Sequence, residues 1–454
     1  MKDNLYSIYN DSQKVSFIYK TSSLTKKDID EKIAVLEKNF CSILKSCENK
    51  RVFIDIKDRL SFLITFFAMK KLNIATVLLP IEIQPQIFFE PGIIYISDNK
   101  HHSEGLFLNE DLSLVPGKDF CPENVKDFEN TYDLYFFTSG STGKSKNIGK
   151  HSLNIITELI ELRKIYSVQS EDVFLCIPPI YHIYGFLFTM LPIFASAVID
   201  LNSFFTPESI ADYVAASKID YLVAVPSYYS LFDKLNLVNS FSRLKGAFSS
   251  SGPLPGEISQ VFFENGIRIN EIYGSTETGG MAYRVFAEKT DYTLIDYVKI
   301  KNYAPEQELE LFISSPAISV EYDEEIGYCT ADVVKFIDEK HFTLLGRNTR
   351  FVKIHGKRID LGFISANFRN YLKDYTGIAL TENNVFVGCQ NENIYMLVES
   401  DKPLNTAQIS RDLRKILPGY AVPKKILQIK IPRNEMGKIN KIAIETIINN
   451  INEQ

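Results

Sequence analysis

The sequence predicts a two-domain protein: a large layered α/β domain over residues 1–347 and a small α+β domain over 348–454. Three observations lead there. The chain has 454 residues, more than one ordinary hydrophobic core organises. Through the first half, short apolar runs alternate with amphipathic stretches, the pattern of strands separated by helices. From residue 296 the strand-like runs become shorter and more polar, and the segment after Arg347 has an apolar pattern of its own.

The elements follow in order. The runs 51–56 (RVFIDI), 74–79 (IATVLL), 93–96 and 134–138 (LYFFT) read as strands, with a helix over 59–71. A helix over 153–166 precedes strands at 173–177 and 221–225; the second stops at Pro226, which has no N–H to give a ladder. Short strands are expected at 309–314 and 333–337. The small domain contributes 351–354, 385–387, 394–398 and 426–431, with helical stretches between them. No repeat of 20 to 50 residues is present, which argues against a solenoid or propeller.

Composition narrows the function. With 45% hydrophobic and 23% charged residues, the chain is neither disordered nor fibrous. A net charge of −6 gives no bulk attraction to polyphosphate, so a nucleic-acid partner is disfavoured. Six scattered cysteines without a CxxC pair read as reduced thiols of a cytoplasmic protein. The N-terminal MKDNLYSIYNDSQK has no apolar signal region. No membrane span is expected. The run 60–69 is too short, and 185–201 contains Pro192 and closes on Asp200. The latter reads as a buried helix leading into a buried strand.

A glycine-rich loop follows the strand at 134–138. Thr138, Ser139, Gly140, Ser141, Thr142, Gly143, Lys144 and Lys146 combine hydroxyls, small residues and cations, which let backbone N–H groups wrap a polyphosphate. Gly143-Lys144-Ser145 ends like a Walker A loop, but the glycine that motif needs five residues earlier is Thr138 here. The following KNIGKHS reads as a strand and not as a helix start. A P-loop NTPase is therefore disfavoured.

The loop resembles the TSGSTGxPK signature of the adenylate-forming (AMP-binding) superfamily, which includes acyl- and aryl-CoA synthetases and peptide-synthetase adenylation domains; Ser145 stands for the usual proline. Further segments resemble that family in the family's order. Pro178-Pro179-Ile180-Tyr181-His182-Ile183-Tyr184-Gly185 resembles the segment whose His182 and Gly185 would line an acyl pocket. No aspartate for a substrate ammonium stands beside His182, which favours an acid without an α-amino group. Ser249-Ser250-Ser251-Gly252-Pro253 resembles the adenine-flanking segment, with Ser251 and Gly252 at the nucleotide. Tyr273-Gly274-Ser275-Thr276-Glu277 matches YGxTE: Tyr273 and Gly274 for adenine, Thr276 for the α-phosphate, Glu277 for magnesium, a hard cation that prefers oxygen. Gly327 to Asp332 (GYCTAD) resembles GYxxTGD, with Ala331 for glycine and Asp332 for the ribose hydroxyls. Arg347 and the run 352–362 resemble the hinge, whose pivot falls at Thr349 or Arg350. Pro432-Arg433-Asn434-Glu435-Met436-Gly437-Lys438 resembles the C-terminal motif whose lysine, Lys438, enters the active site.

The resemblance implies a large N-terminal domain of the adenylate-forming type and a small mobile C-terminal domain. It implies ATP-dependent activation of a small carboxylic acid to its acyl-AMP. The acyl group then passes to a thiol of coenzyme A or of a carrier-protein phosphopantetheine. Thr276, Glu277 and Lys438 would be catalytic, with ATP and Mg²⁺ required and an acyl carrier protein as one candidate partner. Two alternatives stand beside it: an amino-acid adenylation domain that loads a carrier protein, and a non-catalytic nucleotide-binding relative.

Overall fold

The computed structural model describes residues 4–452 apart from 13, 45, 48, 81–92, 100–104, 140–144, 348–350, 355–356, 391–392, 418 and 434–438. The chain forms two compact units, one of residues 1–301 with 314–327, the other of residues 302–313 with 328–454.

The first unit contains two sheets with the same plan, a parallel centre and antiparallel edges. In one, Leu106–Leu108, Ile94–Ser97, Arg51–Asp55, Ala75–Leu78 and Leu134–Ser139 run parallel, flanked by Leu114–Pro116 and Ser145–Lys150. In the other, Ser16–Tyr19, Val198–Asp200, Val173–Cys176, Tyr221–Ala224, Gly246–Ser249 and Ile269–Ser275 run parallel. Ser22–Thr25 closes one side; Gly279–Arg284 and then Tyr292–Leu294 continue the other, all antiparallel. Several central strands are buried on both faces, which makes them largely apolar. Ala75–Leu78, Ile94–Ser97, Val173–Cys176 and Gly246–Ser249 are buried at every residue.

Helix starts are written locally. Thr25 and Asp28 form a reciprocal capping box for Lys26–Ile43, and Asp58 accepts from the Ser61 amide at the start of Arg59–Lys71. Pro226 sits in the first turn of Pro226–Lys234, where a missing N–H costs nothing. The run expected to be a buried helix and strand is the helix Ile183–Phe194 followed by Val198–Asp200. Among the described residues no helix is long and apolar enough to cross a membrane.

The second unit opens with three antiparallel strands, Glu308–Ser314, Tyr328–Phe336 and His341–Arg347. A hairpin, Phe351–Ile354 with Lys357–Asp360, leads into the helix Leu361–Thr376. A sheet of Val385–Gln390, Asn393–Val398 and Lys425–Gln428 follows. Alternation along its middle strand splits the packing. Ile394, Met396 and Val398 join the core of Ile364, Phe368 and Leu413, while Tyr395 and Leu397 pack with Ile444 and Ile448 of the last helix.

Candidate active site

The motif residues of the first unit leave the carboxyl ends of neighbouring parallel strands, where ligands of open α/β sheets bind. Pro178–Gly185 follows Val173–Cys176, Ser250–Gly252 follows Gly246–Ser249, and Thr276–Glu277 follows Ile269–Ser275. Between the first two, Tyr221–Ala224 delivers Val225 to Tyr228 to the same edge. The motif reading did not include this segment; its signal was the proline straight after an apolar strand.

The Thr276–Glu277 turn is the best-defined part. Ser275 and Gly279 are register partners across an antiparallel pair, so three residues make the turn. Its base is tied reciprocally: the Ser275 amide donates to Thr278 Oγ1 at 3.1 Å and the Thr278 amide to Ser275 Oγ at 3.2 Å. Thr278 is fully buried, while Thr276 and Glu277 are half-buried at the apex. Gly274 is required by a bulge there. A Cβ would stand 2.2 Å from the Gly279 carbonyl oxygen. Tyr273 is half-buried, its ring 5.5 Å from that of Tyr292.

Ser250 Oγ donates to the Ile272 carbonyl at 2.8 Å and joins the two neighbouring strand ends. Ser251 lies at φ +75°, the left-handed region that an L-residue enters at a cost of about 1–2 kcal/mol; such strain gathers at functional sites. Gly252 is exposed with open space around its Cα.

His182 caps the helix Ile183–Phe194, half-buried, its ring 4.7 Å from that of Tyr181. Gly185 has a packing reason to be glycine: a Cβ would lie 2.1 Å from the Pro179 carbonyl oxygen. The helix thereby closes onto the Pro178-Pro179 segment.

The glycine-rich loop joins two paired strands. Ser139 is opposite Ser145 and Thr138 opposite Lys146, so the segment closes a hairpin and leads into a strand. A Walker A loop would lead into a helix. Gly140, Ser141, Thr142, Gly143 and Lys144 lie outside the described residues; Thr138, Ser139 and Lys146 are placed as strand backbone.

In the second unit, Asp332 and Arg347 are register partners on neighbouring antiparallel strands. Asp332 is buried, and its amide donates to Thr330 Oγ1 at 3.1 Å. Ala331 takes φ +59°, the conformation that explains the family's glycine there. Lys438, with Thr349 and Arg350, lies outside the described residues. Its flanks are described: Arg433 and Ile439 form an antiparallel bridge, and the Asn440 amide donates to the Pro432 carbonyl at 2.8 Å. The chain therefore enters and leaves the segment 434–438 side by side.

Known proteins share the fold. The family model for AMP-binding enzymes matches residues 90–304, which take in the glycine-rich loop and the Tyr273–Glu277 motif. A mycosubtilin synthase protein of Bacillus subtilis is 25% identical over 415 residues, 81% of this chain and 15% of that protein. The mitochondrial malonate–CoA ligase of Homo sapiens is 22% identical over 386 residues, 71% of this chain and 67% of that protein. The chain spans between 6% and 15% of the length of the mycosubtilin, bacitracin and tyrocidine synthases it matches. ATP-bound MatB from Rhodopseudomonas palustris superposes with a TM-score of 0.80 at 17% identity, covering 99% of this chain and 100% of that one. The O-succinylbenzoate coenzyme A synthetase MenE of Bacillus subtilis, solved with ATP and magnesium, gives a TM-score of 0.75 at 15% identity, over 96% of this chain and 98% of that one.

Proposed function

Since this chain carries the AMP-binding enzyme domain and the fold of the adenylate-forming ligases, we propose that it activates a carboxylic acid with ATP and transfers the acyl group to a thiol. One observation carries the reading. The Ser250–Gly252 and Tyr273–Glu277 segments lie at the carboxyl ends of adjacent parallel strands, and Ser250 Oγ bonds the Ile272 carbonyl just before the second segment.

Carboxylate and α-phosphate repel, so a catalyst must hold them in line and offset their charge. Tyr273 offers a ring for adenine, and the buried Asp332 a carboxylate for ribose hydroxyls, with Arg347 opposite it. Thr276 offers a hydroxyl donor at the α-phosphate, and the residues Thr138 to Lys146 hold the leaving pyrophosphate. The half-buried Glu277 carboxylate, on a turn pinned through its main chain, fits a hard divalent cation. Magnesium bound there would neutralise phosphate oxygens. Lys438 would bridge acid and nucleotide during adenylation. The segment 348–454 then turns about Thr349 or Arg350 to admit the thiol. We place the reaction in the cytoplasm. Coenzyme A and a carrier-protein phosphopantetheine present the same thiol, and intact-mass analysis of each candidate acceptor tells them apart.

A pyrophosphate-exchange screen across carboxylic acids tests the reading. One or more acids without an α-amino group should support exchange; none doing so would overturn it. The peptide-synthase relatives favour one second reading, amino-acid adenylation, which exchange confined to amino acids would establish in its place. Lys438→Ala should nearly abolish exchange yet leave thioester formation from supplied acyl-AMP intact. Equal loss of both half-reactions would remove its assigned role.

A further inference from the structure

The strand that leaves the glycine-rich loop, Ser145–Lys150, ends in a lysine that is 1% exposed. The Lys150 ammonium donates to the main-chain carbonyl of Glu277 at 3.1 Å and to that of Ala317 at 2.8 Å. Glu158, on the helix Ser152–Tyr166, is 3% exposed and accepts the Gly280 N–H at 2.6 Å. The Thr276–Glu277 turn is thus held at two points, its apex and the strand residue just past it. Lys150 holds the carbonyl of Glu277, and Glu158 holds the amide three residues on.

The grip shapes its surroundings. A Cβ on Gly279 would lie 2.6 Å from Glu158 Oε2, and one on Gly280 2.8 Å from Oε1, so the carboxylate fills the space both glycines leave. Gly279 also sits at φ +70°. The Tyr297 hydroxyl donates to the Gly280 carbonyl at 2.7 Å, and the Ser319 amide to the Glu277 carbonyl at 3.3 Å. Burial drives Lys150 and Glu158 towards their neutral forms, and the charge of each opposes this in the other. Each of these buried charges bonds the main chain of one segment, Lys150 the Glu277 carbonyl and Glu158 the Gly280 amide.

We propose that Lys150 and Glu158 are positioning residues that fix the Thr276–Glu277 turn, and through it the Glu277 carboxylate, for binding of the magnesium nucleotide. The proposal rests on the reading of Glu277 given above. It makes the hairpin of the phosphate loop and the metal-binding turn one rigid piece, joined by one ammonium.

The test is equilibrium dialysis of ATP at stepped Mg²⁺ concentrations, with AMP in the absence of metal as a control. Three variants are compared with the parent protein: Lys150→Met, Glu158→Gln and both together. Lys150→Met should raise the Mg²⁺ concentration for half-maximal ATP binding by about ten- to a hundredfold, the usual cost of removing a group that orients a metal ligand. AMP affinity, which needs Thr276 but no metal, should fall by much less than ATP affinity. The double variant leaves no lone buried charge, so it should regain most of the Tm lost in Lys150→Met and keep the altered Mg²⁺ requirement. That split separates positioning from packing. The proposal is overturned if the folded Lys150→Met protein needs the same or less Mg²⁺. It is equally overturned if the double variant recovers Tm and Mg²⁺ requirement together. Should Lys150→Met fail to fold, the double variant alone decides. A parent protein whose ATP binding ignores Mg²⁺ would remove the reading of Glu277 and this proposal with it.

Discussion

Two lysines buried in the first unit make similar bonds to different ends. Lys70, 2% exposed, stands in the last turn of Arg59–Lys71 and donates to the carbonyls of Ile74 and Asp133. Lys150 donates to the carbonyls of Glu277 and Ala317. Each ammonium adds a donor to main-chain oxygens; one oxygen of each pair also accepts an amide, Glu277 from Ser319 and Asp133 from Thr76. Lys70 fastens the end of a helix to the start of the strand Leu134–Ser139, inside the scaffold. Lys150 fastens a turn whose apex carries Thr276 and Glu277. The bonds are alike, and what each cation holds decides whether function depends on it.

The comparison breaks first at the turn itself. Glu277→Ala should cost pyrophosphate exchange more than the about ten- to hundredfold expected for an orienting group. The loss should deepen as Mg²⁺ is lowered. Lys70→Met should leave the Mg²⁺ dependence as it was, and a shared dependence would erase the distinction drawn here. Next in size is Gly279→Ala. It forces a Cβ against the Glu158 carboxylate at a residue with φ +70°. The conformation costs about 1–2 kcal/mol and the crowding about 1–3 kcal/mol. A urea midpoint unchanged by this substitution would mean that the glycine and the carboxylate do not meet as described.

Much of this unit was legible residue by residue. The expected strand after Ser145 is the observed Ser145–Lys150, and the helix expected over 59–71 is Arg59–Lys71. The fold before Arg51 was not legible from strand and helix patterns: the hairpin Ser16–Tyr19 with Ser22–Thr25 and the helix Lys26–Ile43 depend on a parallel partner, Val198–Asp200, far along the chain. A capping box at Thr25 and Asp28 was the local sign of that helix. The motif residues were found because each motif is contiguous. Lys150 and Glu158 were missed because charged residues read as solvent-facing, yet period marked both. Ile148 and Lys150 share a strand face, and Glu158 falls in the buried helical stripe of Ile155, Leu159 and Leu162. A charge placed on the buried face of its own element was the signal.

The last expected effect concerns Lys70 and is read through pH. Burial pulls its pKa down from 10.5 to about 7, partly opposed by Asp133. Below pH 7 both the folded and the unfolded chain carry the proton, and the cost of burying the charge is fully present. Between 7 and 10.5 the unfolded chain binds the proton more than the folded chain does, so raising the pH stabilises the fold; above 10.5 the gain is complete. Lys70→Met removes the titration and takes a donor from the carbonyls of Ile74 and Asp133; the Asp133 carbonyl keeps the Thr76 amide at 3.1 Å, and a carbonyl left dry with no donor costs about 1–3 kcal/mol. The Tm advantage of the parent protein over Lys70→Met should accordingly be level below pH 7 and widen from 7 to 10. Thermal melts of both proteins across that range decide it. An advantage that stays constant would mean that Lys70 keeps its proton in the fold, held by its carbonyls as firmly as water would hold it. The two lysines would then differ only in what they hold.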